Sequence, residues 1–127
     1  MSRDINELTP ETRNKYLAFA VEMGLADIDF IVTCTYRSQE EQDALYAQGR
    51  TKPGKRVTWT RNSRHTIRTA FDIAIMVNGK LVWNPNLDAD GDGVAEYTEA
   101  GRIGEKVGLT WGGRWTTPDA PHFQLGG

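Results

Sequence analysis

The only two histidines of the chain, His65 and His122, impose the strongest constraint on its fold, because they lie in segments far apart in the sequence. Asp72 follows His65 by seven residues, at the start of an apolar run. Two imidazoles and a carboxylate from separate segments suit a tetrahedral zinc site with a fourth position left to water. Asp119, three residues before His122, could then serve as a general base. We therefore predict a fold that brings these segments together; two unrelated histidines are the alternative.

Length and charge set the broad class. A chain of 127 residues predicts a single domain, residues 1–127, with its own hydrophobic core. A net charge of −2 gives no general attraction for nucleic acid or anionic membranes, so we expect neither as a partner. No stretch approaches the roughly 20 apolar residues that span a bilayer, so we expect no membrane insertion.

The first residues, 1–7, lack the apolar region of a secretory signal. We therefore expect synthesis and folding in the cytoplasm; if the protein acts outside the inner membrane, another agent must let it through. The single cysteine, Cys34, excludes an internal disulfide framework. Its apolar, β-like surroundings favour a buried strand residue over a nucleophile.

Capping signals predict two helices near the N-terminus. Thr9 and Pro10 suit the cap and first position of a helix that Gly24 would end. Ser38 and Glu41 form a capping box for a second helix, which would end near residue 49. The residues expected to face inward are apolar and helically spaced: Tyr16, Leu17, Ala20, Val21 and Met23 in the first helix, and Ala44, Leu45 and Ala47 in the second.

Strands are predicted at residues 30–36, 71–77, 80–83 and 122–125. Asn78-Gly79 between two apolar runs is a strong signal for a hairpin, because a type I′ turn needs positive φ at both central residues. We therefore predict an α+β fold. In it, two N-terminal helices pack on one side of a small, mainly antiparallel sheet that carries the zinc ligands.

Residues 88–99 match the calcium-loop pattern D-x-[DN]-x-[DN]-G-x5-E at every specified position. Such oxygen-rich loops suit the roughly seven-coordinate preference of calcium. The predicted ligands are Asp88, Asp90, Asp92, Val94 through its carbonyl, Glu96 directly or through water, and Glu99. Residues 84–86 do not form an entering helix, so we predict an EF-hand-like loop followed by a helix at residues 98–107. A flexible acidic turn is the alternative.

Three further features point to a cleft. Residues 50–62 lack periodicity and predict a solvated loop beside it. Arg37 falls between a strand and a helix, where site residues often lie, although a surface arginine is favoured on this evidence alone. Trp111 precedes Gly112-Gly113, which indicates either a strand broken near a ligand or simple aromatic packing.

Taken together, these motifs resemble the VanY-like (LAS) zinc peptidases, which comprise peptidoglycan D,D-carboxypeptidases, D-Ala-D-Ala dipeptidases and L-alanyl-D-glutamate endopeptidases. The matching motifs are Ser63-x-His65-x6-Asp72, Trp111-Gly112-Gly113 and Asp119-x-Pro121-His122-Phe123. Residues 36–42 and 45–51 are similar to the phage-endolysin, L-alanyl-D-glutamate branch. The resemblance extends over residues 30–125.

The resemblance implies a role for each site residue. His65, Asp72 and His122 would bind zinc, and Asp119 would be the general base. Three residues would act on the substrate or the oxyanion, or orient the metal site: Arg37, Ser63 and Trp111. The chain departs from the family pattern at Arg68, usually glycine, and at Arg114, usually aspartate, and these departures bear on substrate fit.

The resemblance also implies the function. We expect a monomeric phage endolysin, a zinc-dependent L-alanyl-D-glutamate endopeptidase that cleaves the peptidoglycan stem peptide for host lysis and is regulated by calcium. One alternative is a D,D-carboxypeptidase or D-Ala-D-Ala peptidase. Another, of a different class, is a calcium-stabilised wall-binding module with a decayed site.

Overall fold

A computed structural model describes residues 1–126 of the chain; Gly127, the last residue of the predicted domain, lies outside this range. The helices and strands are, in chain order, α1 (Pro10–Leu25), β1 (Asp29–Cys34), α2 (Gln39–Ala47), β2 (Ala70–Val77), β3 (Lys80–Val82), α3 (Glu96–Lys106), β4 (Thr110–Trp111) and β5 (His122–Gln124). Short 3-10 helices occupy Ile5–Glu7, Arg64–Ile67 and Gly112–Arg114.

The five strands form one sheet around β2. Strand β1 pairs with one edge of β2, and both β5 and β3 pair with the other edge. Strand β4 completes the sheet beyond β5. Each of these pairings is antiparallel, so the predicted α+β class with a small antiparallel sheet is confirmed.

One face of the sheet carries the hydrophobic core and the other carries the polar site. Phe71 of β2 is fully buried and stacks on Phe123 of β5, with ring centroids 5.4 Å apart. Because side chains alternate along a strand, the neighbouring Asp72 and His122 point to the opposite face. Helices α1 and α3 complete the core with Phe19, Met23, Tyr97 and Ala100.

The prediction that both N-terminal helices pack on the sheet is correct for α1 and wrong for α2. Helix α1 packs on the core, but α2 contributes nothing to the core cluster, and α3 takes its place. Ala44 is exposed, and the one buried residue of α2 is the polar Gln42. The inward stripe of α1 is also wrong in part, because Leu17 and Val21 are exposed while Phe19 is fully buried.

The predicted turn and cap signals are confirmed. The Thr9 side chain accepts from the backbone N–H of Thr12, and Ser38 and Glu41 satisfy each other's backbone donors at the start of α2. Asn78 and Gly79 have φ values of 51° and 77°, as a type I′ hairpin requires. None of the helices within residues 1–126 combines the length and apolar character needed to cross a membrane.

Arg68 adopts a left-handed backbone conformation, φ 65° and ψ 28°, at the end of the 3-10 helix Arg64–Ile67. This conformation is costly for any residue with a Cβ and free for glycine. The Arg68 guanidinium lies 3.9 Å from the ring centroid of Tyr36 and forms an ion pair with Glu7. These contacts offset the backbone strain, which explains how an arginine can occupy a position where glycine is usual.

We predict that Arg68→Ala is less stable than Arg68→Gly by about 1 kcal/mol, because alanine keeps the left-handed strain and glycine removes it. Urea denaturation of the two variants measures the difference. The matched control is Arg102, an exposed residue inside α3, where Arg102→Ala should instead be more stable than Arg102→Gly. The same order at both positions would contradict this account of Arg68.

Candidate metal centre and cleft

The structure brings the three predicted zinc ligands together. Antiparallel pairing of β2 with β5 sets Asp72 opposite His122, and the 3-10 helix before β2 supplies His65. Oδ1 of Asp72 lies 2.9 Å from Nδ1 of His122 and 3.2 Å from Nε2 of His65. Both histidines are buried, with ring centroids 5.1 Å apart. Residues 57 positions apart in the sequence therefore present their ring nitrogens to one carboxylate.

The remaining ring nitrogens are held by fixed acceptors. Nδ1 of His65 lies 3.2 Å from the carbonyl oxygen of Thr35, and Nε2 of His122 lies 2.9 Å from Oε1 of Gln124. Because an oxygen acceptor requires an N–H, these contacts hold the protons of the outer nitrogens and leave the two nitrogens that face Asp72 to bind a metal ion. Such partners orient metal-binding histidines and raise their basicity.

The donor set fits a zinc ion. Two imidazole nitrogens and a carboxylate oxygen are the ligands of catalytic zinc sites. Nε2 of His65 is buried and, despite its proximity to Asp72, forms no hydrogen bond within residues 1–126. Burial alone would lower the pKa of His65, but the carboxylate of Asp72 and, to a smaller extent, the Cys34 sulfur outweigh it and raise that pKa to about 10. His65, Asp72 and His122 thus form a site that favours positive charge, and they could hold the metal.

Asp119 lies beside this centre on the wall of the cleft. Its carboxylate oxygen and the donor atoms of Asp72 and His122 all lie within 4.8 Å of one another. Desolvation of its carboxyl group, followed by the negative charge of Asp72, raises the pKa of Asp119. A raised pKa brings a carboxylate closer to the proton affinity that a general base needs near neutral pH.

Arg37 faces the same cleft and is held by a residue whose role the sequence did not reveal. Nη1 of Arg37 donates to Oε1 of Gln42 at 2.6 Å, and Nε2 of Gln42 donates to the carbonyl oxygen of Thr60 at 2.6 Å. Gln42 is fully buried. It therefore ties Arg37 on one side and the 50–62 loop on the other. The glutamine was visible in the motif, but only the structure shows these bonds.

The cleft has a volume of about 820 Å³, and the 50–62 loop forms part of its wall, as predicted. Ser63 lines the cleft, and its Oγ accepts from the backbone N–H of His65 at 3.2 Å, so it also caps the 3-10 helix that carries this histidine. Arg64, also in the lining, adds a positive charge. The predicted position of Ser63 beside the metal centre agrees with this arrangement.

Trp111 is not among the lining residues of the cleft, so the structure gives no support to its predicted contact with substrate. It is buried in the core cluster, and its indole N–H donates to the carbonyl oxygen of Ala120 at 2.7 Å. Aromatic packing, the alternative interpretation of this motif, is the one observed. Trp115 lines the cleft instead, with its ring centroid 5.1 Å from that of His122. Arg114 turns outward into a two-bond ion pair with Glu105.

The acidic segment 88–99 forms a tight loop that leads directly into α3, which begins two residues before its predicted start. Carboxylate oxygens fall into two groups with all atoms within 4.8 Å: Asp88, Asp90 and Glu96, and Asp90, Asp92 and Glu99. Both oxygens of Glu96 accept from backbone N–H groups, those of Ala89 and Asp90. Glu96 therefore closes the loop through its own backbone contacts.

A buried histidine-aspartate-histidine cluster in a cleft, carried by a small antiparallel sheet, defines a metal-dependent hydrolase. Comparison with known proteins supports this class. A model of the M15 peptidases described as D-alanyl-D-alanine carboxypeptidase matches residues 56–125. The chain is 33% identical over 126 residues to the peptidoglycan L-alanyl-D-glutamate endopeptidase CwlK of Bacillus subtilis (strain 168), covering 96% of this chain and 74% of CwlK. The chain therefore belongs to the M15 peptidase family and is a metallopeptidase.

The fold has a solved counterpart in the crystal structure of the L-Ala D-Glu endopeptidase ChiX of Serratia marcescens. The TM-score is 0.72 at 22% sequence identity, with 96% of this chain and 83% of ChiX covered. At this identity the likeness concerns the fold alone. It confirms that the small sheet and its helices form a known peptidase architecture.

We predict that Gln124→Leu weakens zinc binding by about 10- to 100-fold, because His122 loses the acceptor that fixes its tautomer. Competition with a chromophoric chelator measures the affinity, and circular dichroism confirms the fold. Gln39→Leu, on the exposed surface of α2, is the control and should bind zinc like the wild type. Unchanged affinity in Gln124→Leu would contradict the role given to Gln124.

Proposed function

We propose that this metallopeptidase is a zinc-dependent L-alanyl-D-glutamate endopeptidase that cleaves the stem peptide of peptidoglycan. The observation that carries the proposal is the convergence of His65, Asp72 and His122, with Asp119 beside them, in a cleft. Support for the substrate comes from CwlK, whose name states this activity and of which the chain covers 74%.

The chemistry follows from the residues of the cleft. Zinc, bound by His65, Asp72 and His122, would polarise the scissile carbonyl and lower the pKa of a water molecule towards ~7. Asp119 accepts a proton from the attacking water and delivers it to the leaving amine. The guanidinium of Arg37 meets the negative charge that develops on the carbonyl oxygen. Gln42 holds Arg37 in place, so this charge stabilisation needs little rearrangement.

A second candidate is D,D-carboxypeptidase or D-Ala-D-Ala peptidase activity, which the description of the matching family model favours. Both activities would use the same metal centre and general base, and they differ in the bond that the cleft places over it. A wall-binding module with a decayed site is the third candidate. The complete ligand set and the adjacent Asp119 argue against it.

The biological setting belongs to the same proposal. The similarity of residues 36–42 and 45–51 to the phage-endolysin branch supports a role in host cell lysis. The enzyme would be made in the host cytoplasm and would act as a monomer on the periplasmic cell wall once the inner membrane is permeabilised.

Calcium regulation through the 88–99 loop is the last part of the proposal. What supports it is the match to the loop pattern, the clustering of its carboxylates, and a buried oxygen, Oδ1 of Asp88, without a hydrogen-bond partner. The loop leads into α3, whose Gly101 contacts the Trp111 indole so closely that a Cβ would not fit. Trp111 in turn holds Ala120, next to Asp119. Calcium binding that orders the loop would therefore affect the position of the general base through these contacts.

The general-base assignment predicts that Asp119→Asn lowers the rate of peptidoglycan cleavage by about 10²- to 10⁴-fold while zinc stays bound, because only proton transfer is lost. Asp29→Asn, at the exposed start of β1, is the control and should leave the rate unchanged. Digestion of purified peptidoglycan, with identification of the newly freed amino termini by mass spectrometry, measures both rate and specificity.

New amino termini on D-glutamate are the expected product. Release of terminal D-alanine instead would establish the carboxypeptidase, and no cleavage by the zinc-loaded wild type would favour the wall-binding module. Wild-type rates in Asp119→Asn would contradict the mechanism.

The calcium loop generates a prediction about pH. Burial, together with the nearby carboxylates of Asp92 and Asp90, raises the pKa of Glu99 to about 7. Without calcium, folded Glu99 therefore keeps a proton between about pH 4.5 and pH 7 that the unfolded chain has lost. Its contribution to stability is present at the acidic end of this window and is lost as the pH rises through 7.

In chelator, the stability of the wild type relative to Glu99→Gln should therefore fall between about pH 5 and pH 8. Calcium should restore the stability of the wild type at pH 8. It should stabilise Glu99→Gln and Asp92→Ala only weakly. Thermal unfolding at several pH values, with and without calcium, measures these differences. A wild type that responds to neither pH nor calcium would contradict both the shifted pKa and the calcium site.

A further inference from the structure

Cys34 lies against His65 and Asp72, outside the lining of the cleft, and the proposed mechanism does not use it. It is the last residue of β1 and pairs with Asp72 across the sheet, after a register shift in β1. Only 2% of its surface is exposed. Its Sγ and donor atoms of His65 and Asp72 all lie within 4.8 Å of one another. The sulfur thus forms a second triad that shares two members with the proposed zinc ligands.

An independent observation shows that this triad has an unused donor. Nε2 of His65 is buried and has no hydrogen-bond partner within residues 1–126. His65 groups with Cys34 and Asp72, whereas His122 groups with Asp72 and Asp119. The other ring nitrogen of His65 is occupied by the carbonyl oxygen of Thr35. Nε2 is therefore held in place and left to bind a cation beside Asp72.

We propose that Cys34 is a soft donor beside the metal centre, and that with His65 and Asp72 it allows the protein to bind thiophilic divalent ions such as cadmium. The inference rests on the metal centre of the proposed function, although not on its catalytic activity. Thiolate sulfur selects soft and borderline metals, whereas imidazole and carboxylate donors serve zinc well without it. Cys34 would therefore affect metal preference more than zinc affinity.

The surroundings of the sulfur suit this role. On coordination the thiol gives its proton to solvent and the sulfur forms a bond to the metal. No oxidant or reductant is needed. Nη2 of Arg37 lies 3.8 Å from Sγ, so its positive charge would help to balance the added negative charge of the thiolate. The guanidinium of Arg37 would then face the thiolate instead of the carbonyl oxygen of the substrate. A bound soft ion should therefore inhibit the peptidase.

The test compares metal-free wild type with Cys34→Ser, and with Cys34→Ala in case serine disturbs the fold. Cobalt(II) and cadmium are titrated separately while absorption is followed across the ultraviolet, where sulfur-to-metal charge transfer appears at longer wavelength for cobalt(II) than for cadmium. We expect a charge-transfer band in the wild type and none in either variant. Cadmium affinity should fall about tenfold or more in the variants, while zinc affinity changes much less.

Two results would overturn the proposal: a wild type that binds no cadmium or binds it without a charge-transfer band, and variants whose cadmium affinity equals that of the wild type. These readouts need no substrate. A protein that shows the band but cleaves no peptidoglycan would refute the proposed function and leave the role of Cys34 standing. A protein that cleaves peptidoglycan but lacks the band would refute the role of Cys34 and leave the proposed function standing.

Discussion

The antiparallel pairing of β2 with β5 is the interaction on which both the core and the candidate site depend. It sets Phe71 opposite Phe123 and, one residue on, Asp72 opposite His122. The aromatic pair stacks on the core side, and the polar pair is displayed on the cleft side. A shift of one residue in this pairing would exchange the two faces. The hydrophobic core therefore fixes the register that assembles the metal centre.

Helix α3 supports this pairing through two glycines. Gly101 lies against the Trp111 indole and Gly104 against the Phe123 ring, and in both places an added Cβ would come within 2.5 Å of ring atoms. The helix can thus approach β4 and β5 closely. Through the Trp111 indole, its position is relayed to Ala120 and to the loop that carries Asp119. A glycine pair outside the cleft lining therefore contributes to the placement of the general base.

The sequence allowed prediction of features that are local or chemically demanding. The caps at Thr9 and Ser38 and the turn at Asn78-Gly79 depend on a few adjacent residues, so their patterns suffice. The convergence of the two histidines on Asp72 could also be foreseen, because few arrangements satisfy a metal ion. The assignment of those residues as zinc ligands stays a prediction, as do calcium binding and the phage setting.

Features that depend on tertiary packing could not be predicted in this way. The apolar residues of α2 suggested a core helix, yet this helix borders the cleft and buries Gln42. Trp111 could be assigned to packing or to ligand contact with equal reason, since the choice depends on where α3 lies. Arg68 departs from the family pattern, and only the contacts with Tyr36 and Glu7 show how its left-handed backbone is stabilised.

The central claim is that His65, Asp72 and His122 together bind one zinc ion in this peptidase. Elemental analysis of purified, dialysed protein tests it most directly, with the wild type beside His65→Ala, Asp72→Ala and His122→Ala, each checked for fold by circular dichroism. We predict about one zinc per wild-type chain and a large loss in each folded variant, because three protein ligands are the minimum for a catalytic zinc site. Full zinc content in any folded variant would contradict the assignment of that residue.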